Sequence, residues 1–94
     1  MPAIAYRPVA AVVSEFLEVL DAEYVAEAEY IDPSSSERSV IVVSVRRDPI
    51  IPRDKAHVVS VVSRHHPHYS YSHYSLSAAE AVAKYREYIP AKEA

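Results

Sequence analysis

The sequence predicts an α+β fold. It is a two-layer sandwich in which two helices pack on one face of an antiparallel meander sheet of three or four strands, with a possible short leading edge strand. Near each end of the chain, apolar residues recur at the three- and four-residue spacing of a helix, and valine-rich or alternating segments lie between them. Hydrophobic residues make up 50% of the 94 residues and charged residues 24%, as in ordinary globular domains, so we assign residues 1–94 to a single α+β domain.

The first helix is predicted from residue 8 to about residue 21. Its apolar positions share one helical face, and they are Val9, Val12, Val13, Phe16, Leu17 and Leu20. Pro8 suits the first turn of a helix, where its missing N–H is not needed. Residues 3–6, between Pro2 and Pro8, could form the short leading strand. Such a strand would lie at the edge of the sheet, because proline cannot donate a backbone hydrogen bond to a neighbouring strand.

The next segment, residues 22–31, carries two conflicting signals. Its alanine and glutamate residues favour a continued helix. Tyr24, Ala26 and Ala28 occupy every second position and are each followed by valine or glutamate, which is the two-residue period of a strand. A helix of more than about 20 residues would also be long for so small a domain. We predict a strand and keep the continued helix as the alternative.

Three further strands are predicted over residues 39–47, 56–64 and 69–76. The first two are rich in valine at successive positions, which is typical of strands that are buried on both faces or nearly so. The third alternates tyrosine with serine. The connecting segments each contain proline, which favours loops and turns there.

The second helix is predicted over residues 78–89. Ser77 and Glu80 have the spacing of a capping box, in which the serine oxygen accepts a backbone N–H and the glutamate reaches back. Glu80 and Lys84 are spaced for an ion pair on the helix surface, and Pro90 ends the helix. The residues predicted to form its apolar face are Ala78, Val82, Tyr85 and Ile89.

With both helices on one face, the other face of the sheet would expose valine and tyrosine side chains. Val58 and Val59, for example, point to opposite sides of a strand, so one of them would lie on the open face. An exposed apolar surface of that size marks an interaction site. We therefore expect a second copy of the chain to cover it, which makes the protein a homo-oligomer, a dimer or larger.

The residue types that are missing exclude several functions. Without glycine there is no Gly-rich phosphate loop, and without cysteine there is no disulfide, thiolate nucleophile or cysteine metal site. The net charge of −3 argues against nucleic acid as a partner. The apolar runs, such as residues 40–43, are too short to span a membrane, and the first residues lack a signal-peptide pattern. We expect no cofactor, no membrane partner and a cytoplasmic location in an expression host.

The candidate functional residues lie in and beside the fourth predicted strand. Tyr69, Tyr71, Tyr74 and His73 are the interface or ligand-face candidates, because tyrosine is a large amphipathic residue that is enriched at interfaces. The alternative is an aromatic ladder that only stabilises the sheet. No catalytic residue and no metal site are predicted. The residues that could form a metal site are His65, His66, His68 and His73.

Three resemblances to known families rest on short motifs or on the order of the elements. Met1-Pro2 before a strand and a helix resembles the tautomerase superfamily, which implies that the Pro2 amine acts as a base once Met1 is removed. His65-His66-Pro67 resembles the His-His-Pro motif of pterin carbinolamine dehydratases, whose folds also combine a sheet with helices. The helix–strands–helix order is similar to double-stranded-RNA-binding domains and ribosome hibernation factors. We adopt none of these families.

Composition indicates an artificial sequence. Only 14 residue types occur, and Gly, Cys, Trp, Thr, Asn and Gln are absent. Because glycine averages about 7% of residues, a natural chain of this length lacks it about once in a thousand cases. We interpret the chain as a designed or reduced-alphabet scaffold without catalytic activity that self-associates through its exposed sheet face. The alternative is a ligand-binding or metal-binding protein, or an enzyme, that uses the His65–His73 cluster or Pro2.

Overall fold

The computed structural model describes residues 5–65 and 69–90. Four strands form one antiparallel sheet in the order β1-β2-β3-β4, with a helix before it and a helix after it in the chain. The elements are α1 (Val9–Leu20), β1 (Ala22–Ile31), β2 (Arg38–Arg46), β3 (His57–Ser63), β4 (Ser70–Leu76) and α2 (Ala78–Tyr88). The predicted α+β class and meander sheet are confirmed. Of the possible leading strand, residues 3 and 4 lie outside the described residues, and residues 5 and 6 are not in a strand.

The ambiguous segment after α1 is a strand because the helix ends at Asp21. Asp21 adopts a left-handed conformation (φ 56°), and its N–H is directed at the carbonyl groups of Leu17 and Glu18. This geometry ends a helix and turns the chain. Ala22, the next residue, already pairs with Arg46 in the sheet. The strand prediction for residues 22–31 is therefore confirmed.

The two helices lie on opposite faces of the sheet. Val40 and Val42 pack with Val12 and Val13 of α1, whereas Ile41 packs on the other side in a cluster that contains α2 residues. Side chains alternate between the faces of a strand, so adjacent residues of β2 meet different helices. The prediction that both helices pack on one face is wrong. The sheet is the middle of three layers, because its central strands are apolar on both sides.

The face that was expected to need a second copy of the chain is covered by α2. Val59 in β3 shares that face with Ile41, and both side chains are fully buried. On the other face, Val40 and Val58 are also fully buried. Each such side chain stabilises the fold by about 1.5–3 kcal/mol relative to an exposed one. The argument for self-association through an open sheet face therefore does not apply over β2 and β3, because both of their faces are covered.

α2 packs on the sheet through Ala81, which is 1% exposed, and not through its neighbour Val82, which is 60% exposed. Tyr85, Tyr88 and Ile89 complete the packed side. The predicted apolar face is therefore wrong at Val82, because the small side chain of Ala81 allows the helix backbone to approach the sheet. Neither helix in the described segments is long and apolar enough to cross a membrane.

The capping box at the start of α2 is confirmed. The Ser77 side chain accepts a hydrogen bond from the Glu80 N–H at 3.1 Å, and the Glu80 carboxylate accepts one from the Ser77 N–H at 3.0 Å. Hydrogen bonding of the Glu80 carboxylate to Ser77, first to its backbone N–H and then to its side chain, lowers the pKa of Glu80. Lys84 pairs with Glu87 at 2.9 Å instead of with Glu80, whose carboxylate is held in the cap.

Candidate functional site

The strand that carries the candidate residues, β4, is at the edge of the sheet, and within the described segments it pairs only with β3. Tyr71 lies opposite Val61 and His73 opposite Val59, so both side chains are on the face that α2 covers. Ser72 lies opposite Ser60 on the α1 side. The structure therefore places the candidates Tyr71 and His73 on the same face of an edge strand.

The three candidate tyrosines are exposed to solvent. The exposed fraction is 71% for Tyr69, 63% for Tyr71 and 51% for Tyr74. Tyr71 contacts His73 edge-on, with 4.9 Å between the ring centroids. Tyr74 instead lies under the guanidinium group of Arg46, at 5.8 Å. The structure thus brings Tyr71 and His73 together and gives Tyr74 a different neighbour.

The free edge of β4 presents backbone hydrogen-bonding groups. The Tyr69 carbonyl accepts a bond from the Ser63 N–H at 3.0 Å, so the backbone of Tyr69 is directed toward β3. Backbone groups alternate in direction along an antiparallel strand. Ser70 and Ser72 therefore direct their N–H and C=O groups away from the sheet. The same alternation gives Tyr74 this direction, and the strand becomes irregular at a bulge directly after it. That bulge contains Ser75 at a φ of 60°.

The two edges of the sheet differ in charge. No residue from Tyr69 to Leu76 carries a carboxylate, ammonium or guanidinium group. The opposite edge strand, β1, carries Glu23, Glu27 and Glu29, and its pairing with β2 is interrupted by an irregularity at Val25. Charges and bulges are the means by which proteins keep edge strands from pairing with other chains. By this criterion β1 is protected and most of β4 is not.

His73 belongs to a cluster between β4 and α2. Its Nε2 atom lies 2.9 Å from the Tyr88 hydroxyl, within hydrogen-bond distance. Tyr88 in turn contacts Tyr30 of β1 edge-on, at 5.3 Å. Tyr88, Tyr30, Tyr71 and His73 form the His73 cluster, with Lys84 close enough to act on it electrostatically. The cluster ties α2 to both edge strands.

Burial sets the protonation states in the His73 cluster. It lowers the pKa of His73, and the positive charge of Lys84 lowers that pKa further, whereas Glu87 opposes the shift. It also raises the pKa of Tyr88, and Tyr71 adds to that increase. At neutral pH an uncharged imidazole therefore meets a protonated phenol. This pair can hold one hydrogen bond, and His73 does not line the cleft described below, where β2 leads into β3.

Sequence reasoning identified His73 and Tyr71 but missed Tyr88, Tyr30 and Lys84. A signal for Tyr88 was present, because Ala81, Tyr85 and Tyr88 are spaced by four and three residues and so share a helical side. That signal becomes useful only once Ala81 is known to be the buried residue of α2.

The two candidate metal-binding histidines that the structure describes, His65 and His73, have different neighbours. His65 is edge-on to Tyr6 at 5.8 Å, whereas His73 contacts Tyr71 and Tyr88. His66 and His68 lie outside the described residues. Within residues 5–65 and 69–90, no group of three or more His, Cys, Asp or Glu side chains is placed to hold a metal ion.

A serine, a histidine and a glutamate meet at the end of β3, but not in a catalytic order. The Ser63 hydroxyl donates to Glu37 Oε1 at 2.7 Å and lies 3.4 Å from His65 Nδ1. Glu37 Oε1 lies 3.5 Å from the same nitrogen. In a hydrolase triad, the serine and the carboxylate contact different nitrogens of the histidine. Here they share one, and Ser63 is buried, so the group holds the β1–β2 loop against β3.

No family model, curated protein or solved structure matches the chain. The residues that carry the resemblances to tautomerases and to pterin carbinolamine dehydratases cannot be compared in structure. Pro2 lies outside the described residues, as do His66 and Pro67. The proton-base role of Pro2 and any role of the His-His-Pro motif stay predictions.

Proposed function

We propose that this chain is a non-catalytic scaffold that self-associates by pairing β4 with β4 of a second copy. The observation that carries the proposal is the edge of β4, where outward backbone groups are flanked by exposed tyrosines and no charged side chain. An unprotected edge strand is a template for another strand. The pairing surface is thus the edge of the sheet and not its face.

Charge favours a second copy of the chain as the partner, joined β4 to β4. The chain has a net charge of −3, and two β1 edges would bring Glu23, Glu27 and Glu29 of each copy together. Like charges that face each other across strands are destabilising. Pairing of β4 with β4 avoids this repulsion. A two-fold arrangement also closes on itself, whereas β4-to-β1 pairing would extend into a filament.

The outward backbone groups define a register. A two-fold axis at Ser72 would place Ser70 opposite Tyr74 of the second copy and Tyr71 opposite His73 of the second copy. Tyrosine and histidine side chains would then form cross-strand aromatic pairs, which contribute about 0.2–1 kcal/mol each. The bulge at Ser75 limits the paired segment to a few residues. We expect a weak dimer, formed at concentrations of about 100 μM.

The test compares two substitutions at one exposed position. Ser70→Pro removes an outward N–H and keeps the bonds to β3, because proline is tolerated at the first residue of an edge strand. Ser70→Ala keeps that N–H and is the matched control. Sedimentation equilibrium of the full chain should show a dimer for the unmodified protein and for Ser70→Ala, and a monomer for Ser70→Pro. Circular dichroism should show that all three are folded.

Two results would overturn the proposal. A protein that stays monomeric up to about 1 mM does not self-associate in any useful sense. If a dimer forms and Ser70→Pro leaves it intact, then the copies meet elsewhere on the molecule. Tyr71→Lys is a second variant, which adds a charge to the edge and should also give a monomer, with Tyr71→Phe as its control.

We also propose that the sequence is artificial and was written without glycine. The support is compositional, together with three non-glycine residues at positive φ: Asp21 (56°), Ser36 (60°) and Ser75 (60°). Glycine takes this conformation without steric cost and is the usual choice there. A sequence selected with glycine available would be expected to use it at one or more of these sites.

A further inference from the structure

A cleft of about 760 Å³ opens at the end of the sheet where β2 leads into β3. This volume is in the range of sites for small organic molecules. The cleft is lined by charged and polar residues together with the apolar residues Val45, Pro49, Ile51 and Ala56. Its charged and titratable lining residues are Glu23, Arg46, Arg47, Asp48, Arg53 and His57.

The charges in this cleft do not cancel locally. Arg47 lies 3.5 Å from Asp21 and 3.8 Å from Glu23, so Glu23 already has a cationic neighbour. Asp48 accepts the Ile50 N–H at 3.0 Å, which holds the turn after β2. Within the described part of the chain, the other two arginines of the cleft, Arg46 and Arg53, form no ion pair. The cleft therefore presents two guanidinium groups without an ion pair, and the three arginines of its lining exceed the two carboxylates, Glu23 and Asp48, by one charge.

Two nitrogens at the cleft are shielded from solvent and lack a hydrogen-bond partner among the described residues. They are Arg46 Nε and His57 Nδ1. A buried polar group without a partner costs about 1–3 kcal/mol, and more when it is charged. Among residues 5–65 and 69–90, the Arg46 guanidinium lies over the Tyr74 ring, at 5.8 Å, and forms no hydrogen bond. Turning Arg46 toward an anion in the cleft would therefore break no hydrogen bond and would give its donors an acceptor.

We propose that this cleft binds a small organic phosphate, with the phosphoryl group between Arg46 and Arg53 and the organic part against Ile51 and Pro49. Guanidinium groups present paired N–H donors that match phosphate oxygens, and two of them can balance a dianion. An inorganic ion would fill only part of this volume and would leave the apolar lining residues without a contact, so we assign an organic phosphate. No residue of β4 lines the cleft, although Arg46 contacts Tyr74 of β4.

The test is a titration of the full chain with phenyl phosphate at low salt, followed by isothermal calorimetry. Arg46→Gln and Arg53→Gln should each weaken binding about tenfold or more, because a lost charged hydrogen bond is worth about 1.5–3 kcal/mol. The matched control is Arg38→Gln, at the opposite end of β2, which removes the same charge and should change the affinity less than about twofold. Thermal melting of each variant checks that it is folded.

The comparison ligands decide what the cleft recognises. Inorganic phosphate should bind at least about tenfold more weakly than phenyl phosphate, since it cannot use the apolar lining residues. Equal binding by inorganic phosphate, or tighter binding by benzoate, would overturn the assignment to an organic phosphate. No heat with phenyl phosphate at about 10 mM would overturn the site itself, as would an equal loss in Arg38→Gln. Arg53 lies in an exposed loop, so its variant remains informative if Arg46→Gln does not fold.

Discussion

The side-chain oxygens of Ser60 and Ser72 lie 2.8 Å apart and join β3 to β4 on the α1 side of the sheet. Ser44 of β2 is buried on the same side, and like Ser60 its side chain has no exposed surface. The Ser44 hydroxyl, however, has no hydrogen-bond partner among the described residues. Two fully buried serines on the same side of the sheet therefore differ in whether their hydroxyl groups form a hydrogen bond.

This difference predicts opposite effects of one substitution. Ser44→Ala removes a buried hydroxyl that forms no bond, and it should raise the free energy of unfolding by about 1 kcal/mol. Ser60→Ala breaks the bond to Ser72 and should lower that free energy by about 1 kcal/mol. Urea denaturation of the two variants and the parent measures both changes. If Ser44→Ala is as destabilising as Ser60→Ala, then Ser44 is hydrogen-bonded in solution.

The close approach of α2 to the sheet predicts a size limit at Ala81. Ala81→Val inserts two methyl groups into a packed contact, and it should lower the free energy of unfolding by about 1–3 kcal/mol. Ala83→Val is the matched control, because Ala83 is on the exposed side of the same helix. It should show only the lower helix propensity of valine, about 0.5 kcal/mol. Equal losses in the two variants would mean that α2 does not pack through Ala81.

The elements of this fold could be predicted from the sequence because their signals are local. The alternating segment before Asp32, the valine-rich strands and the Ser77–Glu80 capping box each depend on neighbours within a few residues. The placement of the helices could not be predicted in the same way. Val40 and Ile41 are both fully buried. Successive apolar residues in a strand indicate that both faces of the sheet are covered, but they do not indicate which helix or which second chain covers each face.

The same limit applies to the candidate site. Tyr71 and His73 could be identified because their strand has an unusual composition, but the partner of His73 is Tyr88, 15 residues away in the chain. That contact depends on the side of the sheet that α2 occupies. The missed face of α2 has a related cause: hydropathy favours Val82, whereas close helix packing requires a small residue such as Ala81.

The absence of glycine predicts a simple route to higher stability. Ser75 has a φ of 60°, a region that is costly for residues with a Cβ atom. Ser75→Gly should raise the free energy of unfolding by about 0.5–1 kcal/mol, the steric relief less the greater chain entropy of glycine. Ser36→Gly, also at 60°, should do the same. Ser14→Gly, on the exposed side of α1, is the control and should be destabilising.

The experiment also bears on the proposed origin of the sequence. A gain at both Ser75 and Ser36, measured by urea denaturation, is expected if glycine was excluded when the residues were chosen. A loss of stability at both sites would show that the serines suit these conformations, and the argument from positive φ would then fail.

The lowered pKa of His73 predicts a pH dependence of stability with a defined sign. Burial and the charge of Lys84 disfavour the imidazolium in the folded state, so the unfolded chain binds more protons at this group than the folded chain does. Where that holds, the free energy of unfolding increases with pH. The contribution of His73 is complete above its unfolded pKa of about 6.5 and is lost as the pH falls through the lower folded value.

His73→Gln isolates this contribution from the other titrating groups. Glutamine can keep a hydrogen bond to the Tyr88 hydroxyl but does not ionise. In urea denaturation between about pH 7.5 and 5.5, the unmodified protein should lose more stability on acidification than the variant does. Contributions from groups that the two proteins share cancel in the difference between the two curves. If the two curves run parallel, or if the variant loses more, then His73 is not held in its neutral form by burial beneath α2.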